Sequence, residues 1–278
     1  MAKENRKQKQ NNGFKMKVVL FDGYNLLHRS RFGFIQGEYS TVFNFFRSFR
    51  ALVEEMNCDK VIVALEGNPV FRHQLYPEYK TNRNYERTPE MDSFHRQKKI
   101  VFSILAKLPV EVVKHPEYEG DDLIGKLVTS VYKNDECVVI TADTDFMQLL
   151  DKPNVKVYNP IQKAWVSKPP YDYTLWKALV GDKADNIEGV PRCGAKTAEK
   201  LLTGNPTEFK LWLNEKGRKE IVERNLTLIK FADVPLEGTI SLSEEPNLPW
   251  VKEQFEQMGF TSITQDKSWN KFAATFSD

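Results

Sequence analysis

Residues 137–150 read Cys137-Val138-Val139-Ile140-Thr141-Ala142-Asp143-Thr144-Asp145-Phe146-Met147-Gln148-Leu149-Leu150. The opening apolar run is the pattern of a strand buried on both faces in a parallel sheet. Two aspartates follow at once, then an apolar patch able to start a helix. In open α/β sheets ligands collect outside the carboxyl ends of the strands, and carboxylates placed there bind hard cations such as magnesium through oxygen.

The arrangement recurs outward from this stretch. Asp22 ends the run Val18 to Phe21, Glu66 ends Val61 to Leu65, and Glu119, Asp121 and Asp122 follow Val110 to Val113. Asp182 and Asp185 come later, in Gly-Asp-Lys-Ala-Asp-Asn. These nine carboxylates cannot all ionise side by side without countercharge. Two divalent cations supply it, with Asp22, Glu66, Glu119, Asp121 and Asp122 at one site and Asp143, Asp145, Asp182 and Asp185 at the other. A metal pair of this kind activates a water and stabilises the leaving oxygen of a phosphodiester.

The whole composition agrees with such a site. The 278 residues carry a net charge of only +2, but setting the nine carboxylates aside leaves 29 acidic residues against 40 basic ones. An acidic spot on a basic body suits a metal site that handles a polyanion. An apolar fraction of 41% is enough for a substantial core. Cys58, Cys137 and Cys193 are too scattered for a disulfide framework or a zinc site, and His28, His73, His95 and His115 have no metal-ligand spacing. No signal peptide, membrane-length apolar run, P-loop or Ser/His/Asp triad is evident. A soluble cytoplasmic protein is expected, without a membrane partner.

Residues 1–15 read as a disordered basic tail. Strands are expected at Lys17–Phe21, Val61–Leu65 and Val155–Tyr158. Val42, Phe45, Phe46, Phe49, Leu52, Val53 and Met56 mark one helix face, and further helices are expected at Asp121–Lys133 and Tyr173–Val180. Strand, helix, strand in this order argues a parallel sheet. The long excursion between Glu66 and Glu119 mixes basic and aromatic residues, which suits a nucleic-acid strand as well as it suits a charged surface loop. Gly-Val-Pro-Arg-Cys-Gly-Ala-Lys-Thr at 189–197 leads into a helix whose start favours a phosphate. Beyond Leu202 the chain reads as helical, with a short edge strand at Gly238–Leu242 and helices at Trp250–Met258 and Trp269–Phe276.

Leu20-Phe21-Asp22-Gly23, Tyr118-Glu119-Gly120-Asp121-Asp122, Thr141 to Asp145 and Gly181 to Ala198 together resemble the 5′-nuclease superfamily. It includes flap endonucleases, phage 5′-exonucleases and the 5′-nuclease domain of bacterial DNA polymerase I. The resemblance runs in order from about Val18 to Leu202, and no polymerase domain follows, so a stand-alone phage or bacterial 5′-3′ exonuclease is expected. It implies a mixed, largely parallel sheet flanked by helices, a helical arch at about 67–107, and a helix–three-turn–helix motif. The expected layout is one domain over 16–278, with a catalytic core at 16–180 and a helical DNA-binding part at 181–278.

The resemblance further implies hydrolysis near a 5′ end or flap junction by two divalent ions, magnesium with manganese as substitute. Potassium is expected on backbone carbonyls of the turn, and a monomer acting on flap DNA or an RNA primer in a duplex. Lys80 and Arg83 match the basic residues that face the scissile phosphate. DNA contacts are expected from Arg72, Tyr79, Lys80, Arg83, Lys177, Arg192, Gly194, Lys196 and Thr197. Two departures stand out. Glu66 occupies a position where the family usually has Asp, ahead of a loop one residue shorter, and Arg192-Cys193 replaces the usual Gly-Ile. A PIN-type ribonuclease and a DNA-binding factor with a relict metal site are the competing classes. An aspartate-nucleophile phosphatase lacks its second Asp after Asp22-Gly23-Tyr24.

Overall fold

The structure is a computed structural model that describes residues 13–33, 37–83 and 87–276. The expected tail lies outside these up to residue 12, as does the arch segment 84–86.

The chain opens with β1 (Lys17–Asp22), α1 (Gly23–Ser30), α2 (Ser40–Met56) and β2 (Lys60–Leu65). Two helices, α3 (Val70–Leu75) and α4 (Pro89–Ala106), lie between β2 and β3 (Glu111–Lys114). They occupy the excursion where the residue pattern gave no clear period and the family resemblance implied a helical arch. Thr88 caps α4 by accepting from the Met91 N–H at 3.3 Å, with Pro89 at the first helical position. Next come α5 (Gly120–Lys126), β4 (Glu136–Ile140), a 3-10 turn at Thr144–Leu149, β5 (Val155–Asn159), β6 (Ala164–Trp165) and α6 (Tyr173–Val180). The helix expected over Asp121–Lys133 is shorter, because Leu127–Val131 widens into a π-turn. There the Thr129 hydroxyl donates to the Gly125 carbonyl at 2.7 Å, and Val131 is turned outward.

A small hairpin, β7 (Gly181–Asp182) and β8 (Ile187–Glu188), precedes α7 (Ala195–Thr203), α8 (Pro206–Leu213) and α9 (Arg218–Ile229). The chain ends with β9 (Ile240–Ser241), α10 (Leu248–Gln257), α11 (Thr261–Thr264) and α12 (Asp266–Thr275).

Seven strands form one sheet in the order β6-β5-β4-β1-β2-β3-β9. The five central strands run parallel, and β6 and β9 are antiparallel edges. Val18 to Phe21 of β1 are wholly buried, as its unbroken apolar run requires. One face packs on α1, α2 and α4 through Phe21, Phe45, Phe46 and Phe49, and the other on α5 through Leu123, Ile124 and Val128. Burying each large side chain of this kind stabilises by roughly 1.5–3 kcal/mol. The seven residues expected on the α2 face are all buried.

The helical part does not run as one block from residue 181. A separate core joins α6 to α9 through Leu179, Ile187, Cys193 and Val222, whereas α10 and α12 return to the sheet, with Phe255 and Phe276 against Phe46 and Phe49 of α2 and Phe272 packed between Phe255 and Phe276. Aromatic packing along α2, far away in sequence, recruits the last helices to the sheet. Because β1 lies between β4 and β2, successive connections leave it in opposite directions, and the crevice at its carboxyl end is where the fold collects ligands.

Candidate active site

Asp22 ends β1 and caps α1. Its carboxylate accepts from the Asn25 N–H at 2.9 Å and from the Thr141 hydroxyl at 3.1 Å. Thr141, at the end of β4, also accepts from the Asp143 N–H at 3.0 Å, and Asp143 accepts from the Asp145 N–H at 2.9 Å. This hydroxyl links the β1 and β4 carboxylates. The sequence quoted Thr141 within Thr-Ala-Asp-Thr-Asp without assigning it.

Glu66 follows β2, and there the chain is stitched to the segment before α5. The N–H groups of Gly67 and Asn68 donate to Tyr118 O at 2.9 Å and Pro116 O at 2.8 Å. A Cβ at residue 67 would lie 1.9 Å from His115 O, so only glycine permits the approach. The seam sets Glu66 beside α5, where its longer side chain accepts from the Gly120 N–H at 3.0 Å. Glu119 and Asp122 cap α5 reciprocally, and single oxygens of Glu119, Asp121 and Asp122 all lie within 4.8 Å of one another.

Several residues expected at the DNA surface are instead inside this network. Arg72, on α3, is 2% exposed. It donates to Asp122 at 2.6 and 2.8 Å, to Glu119 at 2.7 Å, and to the Leu228 and Lys230 carbonyls at 2.8 and 3.0 Å. It braces the arch base against α5 and the end of α9 and has no donor facing solvent for a phosphate. Asp122 belongs to the same network. Two Arg72 nitrogens and the Glu119 and Ala232 N–H groups occupy its acceptor positions, and a carboxylate has about four. Asp122 therefore holds Arg72 in place while one of its oxygens stays in the acidic cluster with Glu119 and Asp121.

Tyr79 is buried too, 3% exposed, with its hydroxyl 2.9 Å from Glu119 Oε2 and 3.3 Å from Asp185 Oδ2. Its ring lies beneath Lys80 and Arg72, at 4.9 and 5.9 Å, which removes it from base stacking. Lys80 has a left-handed backbone (φ 58°) and pairs with Glu119 and, at 3.7 Å, with Asp185. Arg83 pairs with Asp185.

The Asp185 carboxylate thus meets the arch residues Tyr79, Lys80 and Arg83. The arch segment is tied down there by Lys80 N–H to Asp185 O at 3.0 Å and by the Asn82 amide to Lys183 O at 2.7 Å. The outer group keeps Asp143, Asp145 and Asp182. Lys177, expected to touch DNA, is 8% exposed and bridges Asp145 and Asp182, the latter at 2.7 Å.

Electrostatics separate the members. Burial raises Asp22 to about 6, with the Asp143 charge adding to it. Burial and the neighbouring Asp22 and Glu119 charges raise Glu66 to about 7, and burial with Asp122, Glu119 and Glu66 pushes Asp121 well up. Asp145 reaches about 6 through burial and its carboxylate neighbours, despite Lys177. For Glu119 and Asp182 burial is outweighed by Lys80 with Arg72 and by Lys177 respectively, and both are lowered. Asp22, Glu66 and Asp121 form no ion pair among the described residues, so excess negative charge concentrates on them.

The turn into α7 differs in every respect. Gly181 has φ 84° and abuts Gly189, and the Val190 N–H donates to Leu179 O at 2.8 Å. Arg192 takes the left-handed conformation at φ 63°. Cys193 buries into the core of α6 to α9 and replaces the expected isoleucine as its apolar plug. Arg192, Gly194, Lys196 and Thr197 are exposed at the start of α7, where the helix presents free N–H groups.

Residues 17–174 match the family described as 5′-3′ exonuclease, N-terminal resolvase-like domain. DNA polymerase I of Caldicellulosiruptor bescii is 35% identical over 292 residues, covering 89% of this chain and 33% of that protein. The 5′-3′ exonuclease of Buchnera aphidicola is 28% identical, covering 75% of this chain and 77% of its own length. This chain spans about a third of the polymerase relatives it matches. In solved structures, the bacteriophage T5 D15 flap endonuclease in a complex with DNA and metal ions superposes with a TM-score of 0.62 at 21% identity, over 93% of this chain and 97% of that one.

Proposed function

This chain belongs to the 5′-3′ exonuclease family, and we propose that it hydrolyses DNA phosphodiesters near 5′ ends or flap junctions with magnesium, in replication or repair. The observation that carries the reading is the row of carboxylates at and beyond the carboxyl ends of β1 to β4, of which Asp22, Glu66 and Asp121 are raised and make no direct ion pair among the described residues. An all-oxygen donor set with surplus negative charge fits hard divalent cations. Asp22, Glu66, Glu119 and Asp121 would hold the inner ion, and Asp143, Asp145 and Asp182 the outer one. When bound, such ions supply an activated water and charge stabilisation for the leaving oxygen.

The residues around the row divide the remaining work. Lys80 stands over Glu119, and its charge also acts on Asp22 and Glu66. It would meet the reacting phosphate, with Arg83 beside it at Asp185. Arg72 and Tyr79 keep Glu119 oriented, so the pair positions and does not bind substrate. Arg192, Lys196 and the α7 N-terminus would grip duplex phosphates away from the cut, with potassium on the turn's carbonyls. Among the described residues no helix is long and apolar enough to cross a membrane.

The test is cleavage of a 5′-labelled flap duplex in magnesium, with and without chelator, beside a single-stranded RNA of the same sequence. Short 5′ products from the flap, lost with chelator, are expected. Chelator-resistant cleavage or preference for the RNA would overturn the reading.

A further inference from the structure

Lys177 is set into the outer carboxylates in a way that the proposed hydrolysis does not require. It projects from α6, and its ammonium bridges two aspartates from separate parts of the chain, Asp145 after β4 and Asp182 in β7. Both carboxylates are nearly buried, as is the lysine side chain. Each aspartate is held independently of the lysine as well. The Ala184 N–H donates to Asp182 at 2.9 Å, and the Asp145 backbone is fixed by its N–H to Asp143 at 2.9 Å. The pair therefore does not depend on Lys177 alone to face inward. Of the inner carboxylates Asp22, Glu66, Glu119 and Asp121 only Glu119 is so engaged, by Lys80 and Arg72, and no described cation bridges two of them as Lys177 bridges Asp145 and Asp182; Asp22, Glu66 and Asp121 make no ion pair among the described residues.

An ammonium reaches its oxygens at hydrogen-bond distance, while magnesium needs oxygens at about 2.0–2.1 Å. The two cannot share one pair of carboxylates without strong repulsion.

We propose that the Lys177 ammonium is a resident cation of the outer position, occupying the Asp145–Asp182 pair in place of a divalent ion until that ion displaces it. Free enzyme then loads its ions in order. The inner carboxylates take the first ion tightly, and the outer position takes the second weakly. The proposal rests on the metal reading above and adds a specific cost to the second ion.

The test counts ions without substrate. Free Mn2+ is measured by electron paramagnetic resonance while Mn2+ is titrated into the wild-type protein, Lys177→Met and Lys177→Arg, with folding checked by circular dichroism. Wild type is expected to bind one ion tightly and one weakly. Lys177→Met should bind the second ion at least ~10-fold more tightly, with the first unchanged, and Lys177→Arg should resemble wild type. A second ion bound no more tightly by Lys177→Met than by wild type would overturn the inference while leaving the inner ion, and the proposed function, standing. Absence of any tight Mn2+ from the wild type would overturn both. A second measurement needs no variant. In wild type, the lysine Nζ resonance of Lys177 should stay fixed through the first equivalent of Mg2+ and shift as the second binds. A resonance indifferent to the second ion would equally overturn the idea.

Discussion

At the carboxyl ends of β1 to β4 most charged side chains are withdrawn from solvent and the cations Arg72, Lys80 and Lys177 are each paired with carboxylates, whereas at the turn into α7 Arg192 and Lys196 are exposed and make no ion pair among the described residues. Both regions suit a polyanion. The buried region is preorganised, so its groups can act on charge that develops during reaction. The exposed region offers contacts that are equally strong before and during reaction, which hold substrate without accelerating its cleavage.

The sharpest way to break this comparison is Asp121→Asn. It removes a carboxylate from the inner cluster and touches no phosphate contact, so cleavage should fall on the order of 10³-fold or more while DNA affinity stays level or improves. Near-wild-type cleavage in magnesium would dissolve the distinction.

Arg72→Met probes the buried side through stability. It leaves Asp122 and Glu119 without their shared guanidinium, and breaking a buried pair of this kind costs about 3–5 kcal/mol. Urea unfolding should show the loss, and a change within experimental scatter would mean that Arg72 is a surface residue in solution.

Lys80→Ala comes next. Its saturated single-turnover rate on a flap substrate should drop ~10²-fold, with a smaller change in affinity measured in calcium. An unchanged rate would move Lys80 to the holding side of the comparison.

The fourth test uses pH. Asp22 and Asp145 at about 6 and Glu66 at about 7 are raised above ordinary carboxylates by burial first and by neighbouring carboxylates. Their folded forms hold protons that the unfolded chain has released, so their contribution to stability is complete below about pH 4 and is lost as pH climbs through 6–7. The metal-free protein should therefore lose stability between pH 5 and 7.5 from these groups. Magnesium competes with the same protons, so its stabilising effect should grow over that window, at about 2–4 °C in Tm per kcal/mol. Thermal melts at pH 5.5 and 7.5 with and without Mg2+ decide it, and a magnesium effect larger at pH 5.5 would contradict the assignment.

The smallest effect belongs to the exposed region. Lys196→Ala should lower affinity a few-fold and reduce the salt slope by about one or less, with the saturated rate preserved. A loss of rate without loss of affinity would show that the turn takes part in the chemistry.

Much of the frame was legible beforehand because it follows from local pattern. Unbroken runs such as Val18–Phe21 and Cys137–Ile140 mark strands buried on both faces. The limits of α6 are written in its own residues. Asp172 caps it by accepting from the Leu175 N–H at 2.9 Å, and Gly181 stops it at φ 84°. Less legible were α3 and α4, where basic and aromatic residues blur the helical period, and the return of α10 and α12 to α2, which depends on rings about 200 residues apart in sequence.

The carboxylates and the long cations divide along the same line. A carboxylate at the end of an apolar run is already placed by the strand, so the sequence by itself set Asp22, Glu66, Glu119 and Asp143 at one edge of the sheet. The heads of Arg72, Tyr79 and Lys177 sit on flexible or extended side chains, and the family resemblance put them at a DNA surface. Only the tertiary structure decided that Arg72 meets Asp122, 50 residues on, and that Lys177 meets Asp145, 32 residues back. The reason is energetic: a buried cation goes where enough acceptors converge to replace its water, and that convergence exists only once strands, arch and α9 have come together.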